Sequence, residues 1–167
     1  MIELRTDLRT GDIVIWRSDF RGAYDAGIID MSSGEPCVIR FLPFKGQITA
    51  PLKRHDPYQN IYRYVGRNDS FKKDHEIASE AVGWIKRWTT YRYSTRFWIA
   101  VARIPFIRRL VKYNYDKSKV RADYGFTGST AIVWAFECAG IDLIPCQSPD
   151  LSSVNDLLRC PLLKQIE

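Results

Sequence analysis

Through the first 65 residues, apolar positions fall in short β-branched runs of four to six, each closed by turn residues. DIVIW (12–16), AGIIDM (26–31) and CVIRFL (37–42) have strand length, and RSDFRG and SSGEP separate them. QITAPL (47–52) and NIYRYV (60–65) supply two more candidates, so the pattern predicts a meandering, mainly antiparallel sheet of about five strands. After GRNDS (66–70) the period lengthens. Ile77, Ala81, Ile85 and Trp88 recur at helical spacing, with Asp69 or Ser70 placed to cap the start.

A second helical stretch is predicted over about 95–112, with Phe97, Val101, Ile104 and Val111 on one face and Pro105 set to kink or split it. Residues 113–124, YNYDKSKVRADY, read as a polar loop. A third helix is predicted over about 128–139, with Ile132, Ala135, Phe136 and Ala139 as its apolar stripe and Gly140 as its stop. The tail SPDLSSVNDLLRCPLL (148–163) holds a short helix capped by Ser152 or Ser153, with Pro161 beyond it. Strands first and helices afterwards imply an α+β fold, a sheet packed against three to four helices. With no repeat or low-complexity stretch, 1–167 reads as a single domain.

Composition narrows the class. At 46% hydrophobic and 26% charged, the 167 residues suit a folded globular chain with a real core. The start, MIELRTDLRTGD, is charged and lacks the apolar core of a signal peptide, and no apolar run is long enough to span a bilayer. A cytoplasmic setting without membrane contact is therefore expected. Cys37, Cys138, Cys146 and Cys160 are scattered without a CxxC pair and only His55 and His75 accompany them, so free thiols are expected and neither a metal nor a cofactor.

The net charge of +6 points to an acidic partner or ligand. Its basic residues concentrate over 86–121, in KRWTTYRYSTRFW and FIRRLVKYNYDKSKVR. Basic side chains interleaved with aromatics could track a nucleic-acid backbone and stack bases. A solvated basic face on amphipathic helices explains the same residues and is the preferred reading. The Trp-, Tyr- and Arg-rich stretch 84–113 also has the composition of a protein–protein interface, although core burial accounts for part of it.

Several stretches, in order, resemble the circularly permuted NlpC/P60 (YiiX-like) group of papain-like cysteine hydrolases. LRTGDIVIW is similar to that family's opening L-x-x-G-D-I strand, and YDAGIIDM to its S-H-x-G-I strand. KGQITAPL resembles the G-x-G-V-x-x-x-P-L stretch that follows the third strand. FTGSTAIVWAFECAGIDL resembles the nucleophile helix F-x-C-S-x-x-V-x-x-A-Y-x-x-A-G-x-x-L, and SPDLSSVNDLLRCPLL the closing segment. The likeness runs nearly end to end and implies a papain-like fold.

The resemblance implies a thiol nucleophile at the start of the third helix, a histidine base on one strand and an orienting polar group on the next. Here those positions fall on Gly128, Asp25 and, in a less certain register, Arg40. Glycine has nothing to attack with. An aspartate, ionised near neutral pH, is a weak base with no proton to donate. An arginine would repel an imidazolium rather than hold it. A catalytically inactive domain is therefore expected, one that binds a partner or builds an assembly; the family's phage members point to a tail, neck or head component.

Two other outcomes stay open: a peptidoglycan amidase, endopeptidase or other cysteine or serine hydrolase with a displaced nucleophile, and nucleic-acid binding through 86–121. Ser129 is the candidate displaced nucleophile, with Asp25 as its base, though a helix-start hydroxyl more simply satisfies a backbone N–H. Cys138 reads as a core residue, and His55 and His75 as surface residues. Finally, the N–H groups of Gly128, Ser129 and Thr130, with Arg40 nearby, make a candidate anion site, unless an Asp25–Arg40 pair packs it shut.

Overall fold

The computed structural model describes residues 7–18, 22–42, 45–53, 56–66, 72–88, 127–145, 149 and 152–166. All five β-branched runs form strands: β1 (Ile13–Ser18), β2 (Gly22–Asp30), β3 (Cys37–Leu42), β4 (Gly46–Pro51) and β5 (Gln59–Tyr64). A sixth, β6 (Leu163–Gln165), joins them in one antiparallel sheet of order β4-β3-β2-β1-β5-β6. The meander holds from β1 to β4. It fails at β5, which crosses back to pair with β1, Val14 opposite Ile61. Among the described residues the sheet thus has six strands where about five were expected. LKQ has no strand signature of its own; it is extended because β5 offers it a partner, Tyr64 opposite Leu163 and Tyr62 opposite Gln165.

The central strand is buried on both faces, which is why DIVIW reads as a run rather than an alternation. Ile13 and Ile15 point, with Ala26, Ile28, Ile39, Phe41, Tyr62 and Tyr64, into the main core under the helices. Val14 and Trp16 point the other way, into a smaller cluster with Ile29, Val38, Leu52 and Ile61. This makes an α+β fold, its helices packed on one face of an antiparallel sheet.

Three helices lie among the described residues: α1 (Asp74–Ile85), α2 (Gly128–Cys138) and α3 (Val154–Leu158). The start of α1 corrects the expectation of a cap at Asp69 or Ser70. Its N-cap is Lys73, whose backbone N–H donates to the Glu76 carboxylate at 3.1 Å. Trp88 lies beyond the end of α1 and packs partly buried against the main core.

Gly128 through Phe136 are all buried, so α2 is a core helix held between α1 and the sheet rather than a helix with a single apolar stripe. It ends as expected at Gly140, in the left-handed region at φ 92. There Ile141 N–H donates to Phe136 O at 2.8 Å and Gly140 N–H to Glu137 O at 3.0 Å, satisfying the last carbonyls. Ser153 caps α3, accepting from Asp156 N–H at 3.3 Å. The helix expected over 95–112 and the loop over 113–124 fall outside the described residues. Among the described residues, no helix is long and apolar enough to cross a membrane.

Candidate functional site

The site begins with a missing rung. Ile29 exchanges hydrogen bonds on the β1 side, its N–H donating to Asp12 O at 2.7 Å and its carbonyl accepting from Gly11 N–H at 2.8 Å. Alternation along β2 therefore turns the N–H and C=O of Ala26 toward β3. The β2–β3 ladder runs from Asp30–Cys37 to Gly27–Arg40 and stops one step short of Ala26–Phe41. Beyond that point β3 continues on β4 alone, as far as Leu42–Gly46.

The first residue of α2 stands at this split. A Cβ on residue 128 would lie 2.1 Å from Ala26 O and 3.1 Å from Asp25 Oδ1. Neither separation admits a normal contact, and the nearer atom is backbone that cannot swing aside. Only glycine lets the helix come this close to β2.

Across the split, Arg40 reaches back to β2. Its Nε donates to Asp25 Oδ2 at 3.1 Å, and Nη2 donates to the same oxygen. Asp25 Oδ1 accepts from Ala26 N–H at 2.9 Å. The guanidinium also lies over the Trp16 ring, 3.9 Å from its centroid, where the ring's electrons favour a cation. Trp16 is fixed in turn by its Nε1–H, which donates to Asp56 Oδ2 at 3.2 Å. A second glycine makes the crossing: a Cβ on Gly27 would lie 2.8 Å from Arg40 Cγ and 2.6 Å from Val38 Cγ1. Asp25 and Arg40 keep only 13% and 25% side-chain exposure, so their charges meet in a partly dehydrated place.

No protein-family model matches this chain, and no curated protein matches it either. What the site can do rests on its own groups.

Gly128, Asp25 and Arg40 are brought together, and Ser129 and Thr130 follow in the first turn of α2. Thr127 caps that turn reciprocally: its Oγ1 accepts from Thr130 N–H at 3.4 Å, and its own N–H donates to Thr130 Oγ1 at 2.8 Å. Ser129 points elsewhere. Its Oγ donates to Ser152 O at 2.9 Å, ahead of α3, and the residue is 4% exposed. Gly128, Ser129 and Thr130, the three residues of the candidate anion site, are buried rather than open to solvent. The Asp25 carboxylate lies at the first of them, Oδ1 3.1 Å from where a Gly128 Cβ would be, at the end of the helix whose dipole favours an anion.

Of the other candidates, Cys138 sits half-buried in the last turn of α2, its thiol pushed up by burial and then by the neighbouring Glu137 charge. Cys160 is buried and donates Sγ–H to Leu143 O at 2.9 Å; burial raises its thiol too. Neither is activated toward thiolate chemistry. His75 is exposed in the first turn of α1, and His55 and Cys146 fall outside the described residues. Among the described residues, no group of three or more His, Cys, Asp or Glu is arranged to hold a metal ion.

Trp16, Asp56, Thr127 and Ser152 complete the site and were not legible as members of it. Trp16 faces Asp25 across β1 and β2, a register that DIVIW and YDAGIIDM do not reveal by themselves. The groups that meet here are a carboxylate, a guanidinium, an indole and a glycine backbone. Among the described residues, none of these groups pairs a thiol or hydroxyl with an imidazole. What the arrangement does chemically is tie β2 to β3 through paired charge, at the point where the start of α2 packs on β2.

Proposed function

We propose that this chain is a catalytically inactive papain-like domain of the permuted NlpC/P60 (YiiX-like) kind, acting as a binding or assembly protein. The phage occurrence of that family makes a tail, neck or head component of a virion the setting to test first. One observation carries the proposal. The position where the resemblance requires a nucleophilic side chain is a glycine whose missing Cβ is 2.1 Å from a backbone oxygen. The reaction is thus lost twice over: the sulfur is absent, and its space has been closed. The positions assigned to the base and its orienting partner meet at the same point, as an ion pair. Loss of a nucleophile alone lowers the rate by about a millionfold where such groups act as a unit.

The test is hydrolysis of peptidoglycan fragments and model amides by the purified protein, beside fluorophosphonate and iodoacetamide labelling. No turnover and no selective label on Ser129 or a cysteine are expected. Turnover by the wild type that disappears in Ser129→Ala would overturn the proposal in favour of a displaced nucleophile. The Ser129–Ser152 hydrogen bond weighs against that result, because the hydroxyl is already committed away from Asp25. If the protein is a virion component, mass spectrometry of purified particles will contain it.

A second reading is favoured by the distribution of charge. Residues 89–126 contain nine Lys or Arg and two Asp or Glu, which leaves sixteen basic against seventeen acidic residues elsewhere. The whole surplus of +6 thus comes from one segment, which falls outside the described residues. A nucleic-acid partner would show as affinity that falls linearly in log–log terms with salt. A flat salt response removes this reading and leaves the first intact.

A further inference from the structure

We draw no further inference here: the strongest candidate, the outward edge of β4 around Thr49, ends the sheet among the described residues with backbone that an added strand could pair, but nothing in the structure shows what covers it.

Discussion

Two glycines in helices show how differently one residue type can be used. On α1, no atom of the described residues outside the adjoining turns of the helix lies within 4 Å of where a Gly83 Cβ would be; on α2, Gly128 has the Ala26 carbonyl oxygen at 2.1 Å. Alanine is the better helix former by about 1 kcal/mol. At Gly83 that preference acts unopposed, so Gly83→Ala is expected to raise stability by up to about 1 kcal/mol. At Gly128 overpacking against backbone outweighs it, and Gly128→Ala is expected to lose about 1–3 kcal/mol. Urea unfolding of both variants reads the difference; a Gly128→Ala protein as stable as wild type would mean the split between β2 and β3 can open. The Asp25–Arg40 pair belongs to the same scale. Arg40→Met strands a partly buried carboxylate and should cost about 1–3 kcal/mol. Asp25→Asn in the Arg40→Met background should cost less than in wild type, with a coupling of about 0.5–3 kcal/mol in a double-mutant cycle. Additive losses would show that the two side chains are merely adjacent.

Elements were legible where their signal is local, except at the start of α1, which is capped by Lys73 rather than Asp69 or Ser70. The β-branched runs, the Gly140 stop and the Ser153 cap depend on a few neighbouring residues, and the structure places all of them. The crossing of β5 back to β1, the three residues of β6 and the missing Ala26–Phe41 rung depend on partners far along the chain. No window of sequence contains them. A similar non-local tie joins the end of β2 to the end of α1: Lys86 Nζ lies 2.6 Å from Asp30 Oδ2, and Ser32 donates to Asp30 through its N–H at 3.0 Å and its Oγ at 2.9 Å. Burial works to raise the Asp30 pKa, but the Lys86 and Ser32 hydrogen bonds together outweigh it and hold the carboxyl below its usual 3.8. The folded pKa is therefore the lower one. The stabilisation is complete above the unfolded value and is lost as pH falls through the folded value, below about pH 4. Lys86→Met should accordingly destabilise the protein at neutral pH and flatten the acid limb of its stability curve. An unchanged limb would assign the acid sensitivity to other carboxylates.

At the scale of the molecule, the candidate site was legible as Asp25, Arg40 and the start of the helix at Gly128, Ser129 and Thr130, and only through the order of motifs along the chain. The reason for Gly128 lies in the separation between α2 and a β2 carbonyl, which composition and spacing do not encode. The sheet shows the same dependence on the complete chain. Its central strand β1 comes from the start of the sequence, while the strand that closes the β5 edge comes from the end. The Tyr62 hydroxyl meets the Gln165 side chain at 3.3 Å across 103 residues of sequence. Such distant pairings form late, because loop closure precedes any gain from them. The β6 segment also does more than add hydrogen bonds. Leu162 and Leu163 pack against the main core, and Ile166 packs against the second cluster, on the opposite face of the sheet. Val65 N–H donates to Leu162 O and Ile166 N–H to Ile61 O, both at 2.9 Å, so the segment is tied at each end. Removing residues 162–167 should therefore uncover both clusters at once and leave β5 as a bare edge. The expected outcome is a loss of a few kcal/mol, each of the three partly buried aliphatic side chains contributing less than the roughly 1.5–3 kcal/mol of full burial, with a lower urea midpoint and a tendency to aggregate through β5. A truncated chain that unfolds at the wild-type midpoint would show instead that the sheet is complete at β5 and that β6 only decorates it.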